Sequence, residues 1–241
     1  VPTIKKSNYL AKQNKEVLPV CETITVFTDE EIEKFKAEAY KKYPSGKPKH
    51  NQASAYILML NTGLRTAEAL GLINSDIDLE KKVMHIQRGV KEAQKRDGTE
   101  RKKGREIVVG KLKTASSKRI VPLNETAIQA IIELRNERYF GEDAPLIPDA
   151  DGNFTRPLNL RKQFYSILDA AGIEKKGLHS LRHTFATKLV TGVRADDGTV
   201  KALTPRQVAD LLGHTTSEIT EMYYVKRNTD MLMGVTNGFE L

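Results

Sequence analysis

Apolar residues along this chain recur mostly at helical spacing, interrupted by one central stretch that alternates and by polar loops. Ile32, Phe35 and Ala39 form a stripe that predicts a helix from Asp29 to about Tyr43. Thr28 caps it, with Glu31 placed as in a capping box, and Pro44 and Gly46 close it. Asn51 to Asn61 (NQASAYILMLN) is dense in apolar residues and predicts a buried helix, which Thr62 and Gly63 break. A short helix then opens at Arg65, with Leu64, Ala67, Leu70 and Leu72 apolar. Further amphipathic helices are expected from Asn124 to about Tyr139 and from Asn159 to Ala171. The segment Gly177 to Leu189 (GLHSLRHTFATKL) repeats apolar residues at Leu181, Phe185, Ala186 and Leu189. Thr204 as cap and Pro205 as first helical residue start a last helix to Leu212, stopped by Gly213.

The alternating stretch predicts three short strands: Val83 to Gln87, Glu106 to Leu112 and Arg119 to Leu123. The last two are separated by KTASSK and are expected to form a hairpin with Lys113 at or near its turn. Between the first two, Arg88 to Arg105 (RGVKEAQKRDGTERKKGR) is highly charged and is expected to be an exposed, mobile excursion. The fold class is therefore mainly α with a small antiparallel β-sheet (α+β). Residues 1–24 carry two prolines and no sustained period, as a linker leaving an upstream domain does. The start at Val1 rather than Met fits a piece of something longer. One domain is expected over 25–228, followed by a weakly patterned tail, 229–241.

Composition narrows the partners. With 39 Lys and Arg against 31 Asp and Glu, the net charge of +8 favours nucleic acid or another anionic surface. No apolar run approaches the roughly eighteen residues of a spanning helix, and no signal-peptide pattern opens the chain, so a soluble, cytoplasmic protein with no membrane contact is expected. Cys21 is the sole cysteine, and no Cys or His cluster has ligand spacing, so no metal is expected. The basic residues of the excursion, Lys91, Lys95, Arg96, Arg101, Lys102, Lys103 and Arg105, suit either solvated surface or a phosphate-contacting arm.

Candidate chemistry sits at helix edges. His179 and Arg182 share one side of a first turn and both can face the same anion. Glu68 lies one turn beyond Arg65 and can brace it. His214 follows the Gly that stops the last helix, and Tyr223 and Tyr224 come nine and ten residues later. Each feature taken singly is ordinary surface chemistry.

Taken in order they are specific. GLRTAEAL, a lysine before SSKRIVPL, LHSLRHTFAT, LLGHTTSEIT and a following tyrosine resemble the catalytic domain of the tyrosine recombinases, the integrases of phages and conjugative transposons, over about Thr25 to Lys226. The resemblance implies a site-specific recombinase that cleaves double-stranded DNA through a 3′-phosphotyrosyl intermediate and works as a homotetramer on paired sites. In that reading Arg65 and Arg182 hold the non-bridging phosphate oxygens, and His179 and His214 add donors or move protons. Lys113 protonates the leaving 5′-oxygen, and Glu68 supports Arg65. Tyr223 is the favoured nucleophile, three residues after Thr220, with Tyr224 the alternative. No cofactor is implied: the phosphotyrosyl bond keeps the energy of the broken one, and the sequence has no phosphate-binding glycine loop or Asp/Glu cluster for magnesium. A type IB topoisomerase and a catalytically inactive DNA-binding regulator are the alternatives. An RNA-binding sheet is disfavoured because aromatics are only 6% of residues.

Overall fold

The computed structural model describes residues 25–97, 100–111, 118–194 and 199–213. Among them lie seven α-helices and three small antiparallel sheets. Helix α1 (Asp29–Ala39) starts where its capping box dictates: Glu31 N donates to Thr28 Oγ1 at 3.2 Å and Thr28 N to Glu31 Oε2 at 2.9 Å. It stops at Ala39, short of the expected Tyr43. The backbone turns back on itself instead, with Tyr43 N donating to Lys47 O and Lys49 N to Lys41 O. Helix α2 (Ser54–Thr62) is buried at eight of its nine positions, as its apolar sequence demands. Gly63, at φ 64°, ends it in the left-handed conformation that glycine adopts without penalty.

Helix α3 (Thr66–Gly71) and a 3₁₀ turn (Asn74–Asp76) lead into the sheets. Strands β1 (Ile77–Asp78), β2 (Val83–Ile86) and β5 (Arg119–Pro122) form one sheet in the order β1-β2-β5. Among the described residues, strands β3 (Arg88–Asp97) and β4 (Glu100–Lys111) pair only with each other, from Arg88↔Lys111 to Asp97↔Glu100. The expected hairpin between Glu106–Leu112 and Arg119–Leu123 is therefore not formed. β5 pairs with β2, placing Val121 opposite Met84 on a buried face. The charged stretch expected as an exposed, mobile excursion is paired as a two-stranded ribbon. Its strands satisfy each other's backbone groups while Lys91, Lys95 and Arg105 point to solvent.

Helix α4 (Glu125–Glu137) is capped by Asn124, whose Oδ1 accepts from Ala127 N at 2.8 Å. Helix α5 (Pro157–Ala170) begins two residues before the expected Asn159, because Pro157 suits the first helical position. Helix α6 (His179–Thr191) is followed by a two-stranded pairing of β6 (Val193–Arg194) with β7 (Val200–Lys201), and helix α7 (Pro205–Leu212) ends at Gly213, φ 67°. Thr204 caps α7 as expected, with Gln207 N donating to its Oγ1.

The core runs along α2. Phe35, Tyr56 and Phe164 bring α1, α2 and α5 together with ring centroids 5.4–6.1 Å apart, and Tyr56 Oη donates to Leu160 O at 2.8 Å. α2 also packs on α4 and α6. The proposed linker 1–24, the tail 229–241, and Lys113, His214, Tyr223 and Tyr224 lie outside the described residues.

The ribbon is seated on α3 by close backbone approach. A Cβ on Gly71 would lie 2.7 Å from Arg88 O and 2.9 Å from Gly89 Cα, so the contact requires glycine. Gly110, paired with Gly89 on the ribbon, has nothing near its would-be Cβ. Gly71→Ala should lower stability by about 1–3 kcal/mol, and Gly110→Ala should stay within about 0.5 kcal/mol of the parent. Urea denaturation of the two variants measures both, and equal effects would contradict this docking.

Candidate active site

Glu68 is the centre to which the candidate residues converge. It sits in the first turn of α3, 2% exposed, and its carboxylate meets three guanidiniums. Oε1 accepts from Arg65 Nη1 at 2.7 Å and from Arg119 Nη1 at 3.1 Å. Oε2 accepts from the Arg65 backbone N at 2.9 Å and from Arg119 Nη2 at 3.0 Å. Arg182 Nη1 stands 3.9 Å from Oε2, an ion pair too long for a hydrogen bond. Burial is the largest influence on the Glu68 carboxyl and pushes its pKa up. The donors and charge of Arg119, then those of Arg65, together outweigh it and hold the group below its ordinary range.

Each arginine is tied to a helix end. Gly63 reverses the chain after α2, so Arg65 arrives extended at the start of α3 with its own N–H on Glu68. Arg182, one turn into α6, is 2% exposed and among the largest fully buried side chains. Its Nη1 donates to Gly63 O at 2.6 Å and its Nη2 to Leu212 O at 2.8 Å, carbonyls at the C-terminal ends of α2 and α7. Those carbonyls lack helical partners and carry the negative end of the helix dipole, so a guanidinium suits them. Arg119 Nε donates to Leu211 O at 2.9 Å.

His179 opens α6 beside this cluster, and the ring of His183, one turn on, meets it edge-on with centroids 4.5 Å apart. Burial, then the charges of Arg182 and Arg65, lower the pKa of His179 against a smaller opposing effect of Glu68. Burial, His179 and Arg182 bring His183 down to about 4. Both imidazoles are thus neutral at pH 7.

The arrangement joins four of the sequence-predicted residues, Arg65, Glu68, His179 and Arg182. Three guanidiniums face one carboxylate, which leaves two positive charges in excess. Arg65 carries this excess outward, its side chain 36% exposed against 7% for Arg119 and 2% for Arg182. The exposed side of the cluster at Arg65, hereafter the notch, carries positive charge that attracts anions. His214, beyond the described residues, follows Gly213 and hence the Leu212 carbonyl that Arg182 grips. The ribbon residues lie apart from this cluster. Lys91, Lys95 and Arg105 are exposed, Arg105 standing 3.8 Å from Glu92, and the side chains of Arg96, Arg101, Lys102 and Lys103 lie outside those described. Among the described residues no group of His, Cys, Asp and Glu is placed to hold a metal ion, and no helix is long and apolar enough to cross a membrane.

Arg119 and His183 are the neighbours that sequence reasoning missed. Arg119 had no clear signal: it shares the inward face of β5 with buried Val121, but apolar Ile120 between them is 59% exposed, so the sequence alternation does not tell the faces apart. A cleft of about 720 Å³ among α1, α2 and α4, lined by Tyr40, His50, Ser54 and Glu137, contains none of the cluster's residues.

Comparison with known proteins identifies the family and the fold. The profile described as "Phage integrase family" matches residues 25–230. The chain is 33% identical over 213 residues to a tyrosine recombinase XerC-like protein of Caldanaerobacter subterraneus subsp. tengcongensis, covering 83% of this chain and 50% of that one. It is 26% identical over 209 residues to tyrosine recombinase XerD of Neisseria meningitidis serogroup B, covering 83% and 57%. The chain thus spans about half the length of the curated relatives it matches. In fold it is similar to the Tn1549 transposon integrase in complex with circular intermediate DNA, with TM-score 0.64, 20% identity and coverage of 84% and 63%. It is also similar to the XerH site-specific recombinase bound to palindromic difH substrate, with TM-score 0.57, 24% identity and coverage of 89% and 53%. The fold is that of tyrosine recombinase catalytic domains, and the chain belongs to the phage integrase family of tyrosine recombinases.

Proposed function

We propose that this chain is the catalytic part of a site-specific DNA recombinase that integrates or excises a mobile element, acting on double-stranded DNA in the cytoplasm as a homotetramer on paired sites. The observation that carries the reading is the convergence of Arg65, Arg182 and His179 on one notch with excess positive charge. A phosphodiester brings one negative charge, and attack on phosphorus spreads more onto its non-bridging oxygens. Fixed guanidiniums stabilise that transition state without reorganising. Arg65 offers exposed donors to those oxygens, and Arg182 supplies charge from beneath, its orientation fixed by the ends of α2 and α7.

The Tyr223 oxygen attacks phosphorus, the bond to the 5′-oxygen breaks, and a 3′-phosphotyrosyl bond forms. Neutral His179 is in a state to accept the phenol proton, and Lys113 gives a proton to the departing 5′-oxygen. His214 adds a donor to the phosphate. The 5′-hydroxyl of a partner strand then attacks the phosphotyrosyl bond and releases the tyrosine. The ribbon supports a second contact with DNA, because a two-stranded ribbon with exposed Lys91, Lys95 and Arg105 suits phosphate binding along a groove. Arg96, Arg101, Lys102 and Lys103 extend that basic ribbon.

Three measurements test these assignments. On a nicked suicide substrate, Arg65→Ala should slow covalent capture at least about 10²-fold. Tyr223→Phe should abolish capture, and Tyr224→Phe should retain it. Peptide mapping of the adduct reads the nucleophile directly, and an adduct on Tyr224 would reverse the assignment. Replacing Lys91, Lys95 and Arg105 together by Gln should weaken DNA binding and flatten its dependence on log salt by about 0.9 for each phosphate no longer neutralised. An unchanged slope would remove the ribbon from the DNA interface.

The histidine pair has its own thermodynamic signature. In the unfolded chain both imidazoles protonate near about 6.5, whereas in the fold both are held lower, His183 at about 4. As pH falls below about 6.5 the unfolded state binds more protons, so stability is full above that pH and declines below it. Urea denaturation from pH 7 to 5 should show the decline, and His183→Asn should make it shallower. An identical slope in that variant would place the effect elsewhere.

A further inference from the structure

Arg119 plays no part in the chemistry set out above, yet three of the site's segments meet through it. It leaves β5 on the inward face, and its side chain is only 7% exposed. Two of its nitrogens fork onto the two oxygens of Glu68 at 3.1 and 3.0 Å, a geometry that guanidinium has and ammonium lacks. The third, Nε, donates to Leu211 O at 2.9 Å. Glu68 in turn holds Arg65 by side chain and backbone, and the next carbonyl of α7, that of Leu212, holds Arg182. One planar group therefore ties β5 to the start of α3 and the end of α7.

The electrostatics give that tie a consequence. Glu68 is a buried carboxylate and must be neutralised by the cations around it. With Arg119 occupying both oxygens, Arg65 gives Nη1 and its backbone N–H, and its side chain remains 36% exposed. Without Arg119, the carboxylate would draw the Arg65 guanidinium down onto itself and away from the notch. We propose that Arg119 is a positioning residue for DNA strand cleavage, holding Glu68 so that Arg65 meets the scissile phosphate in the right place. The proposal rests on the reading of the notch as the cleavage site.

The test is a double-mutant cycle in the intact protein, read as the single-turnover cleavage rate on a nicked suicide substrate at saturating DNA. Arg119→Met should slow cleavage at least about tenfold, the order of loss expected when a reacting group is displaced. In an Arg65→Ala background the same substitution should cost little more, because its effect passes through Arg65. Arg119→Lys, which keeps the charge but not the fork, should also be slow. Penalties that multiply in the double variant would make Arg119 a general structural residue and overturn the proposal, as would parental rates in either single variant. If Arg119→Met does not fold, the cycle is run with Arg119→Lys. Failure of both to fold would likewise make the role structural. An unsubstituted protein that captures no DNA would defeat the recombinase reading itself, and no substitution is needed to see that outcome.

Discussion

A single buried carboxylate under three guanidiniums is the constraint on which the site depends. Taking Glu68 out of water is costly by several kcal/mol unless cations and donors replace the solvent. Bringing Arg65, Arg119 and Arg182 into one neighbourhood is equally unfavourable without an anion between them. Each half is tolerable only with the other. The cations come from the start of α3, from β5 and from α6, so neutralising Glu68 and assembling the site are the same event. The carboxylate does not cancel the charge fully, and the remainder is available to a ligand.

The surrounding packing turns this electrostatic knot into a fixed geometry. α2 is buried almost throughout and carries no charged residue, so it acts as the post on which α4 and α6 lean. Its end is also a functional part, since the Gly63 carbonyl receives Arg182. A Cβ on Gly63 would lie 2.5 Å from side-chain atoms of both Phe185 and Leu212, so α2, α6 and α7 meet where a side chain has no room. Aliphatic and aromatic packing therefore sets the distances between carbonyls that the guanidiniums then bridge. The aromatic group of Phe35, Tyr56 and Phe164 secures the far end of the same post.

How much of this was legible in the sequence depends on whether the signal was local. Thr28 with Glu31, Thr204 with Pro205, and the stop glycines Gly63 and Gly213 fixed helix ends because capping involves only neighbouring backbone. Strand partners were not legible, because β2 and β5 are brought together by burying Met84 and Val121 on a common face, a property of the assembled core. The excursion from Arg88 to Arg105 showed no strand pattern in the sequence because its charge hides the period. Within it Val90, 1% exposed, and Glu92, whose side chain is 11% exposed, mark an inner side. Arg65, Glu68, His179 and Arg182 were found from motif order, but the burial of Arg182 was not. A short-range pattern cannot show that carbonyls 119 and 30 residues away would take its hydrogen bonds.

The six residues of α3 link the two surfaces that face DNA in the proposed reading. At about 1.5 Å per residue the helix is only about 9 Å long. Its first turn carries Glu68 with Arg65 just ahead of it, and its last residue, Gly71, lies against the backbone of Arg88 and Gly89 at the base of the ribbon. The base is pinned a second time where Arg88 Nη1 meets the buried carboxylate of Asp76 at 2.5 Å. A ribbon seated so close to Arg65 cannot shift at its base without moving the helix that carries the notch. Phosphate contacts along the ribbon would therefore set the register of the duplex relative to the guanidinium that awaits the scissile phosphate. This explains why the junction uses glycine and a buried ion pair, where a flexible linker would have connected the same segments without fixing their distance.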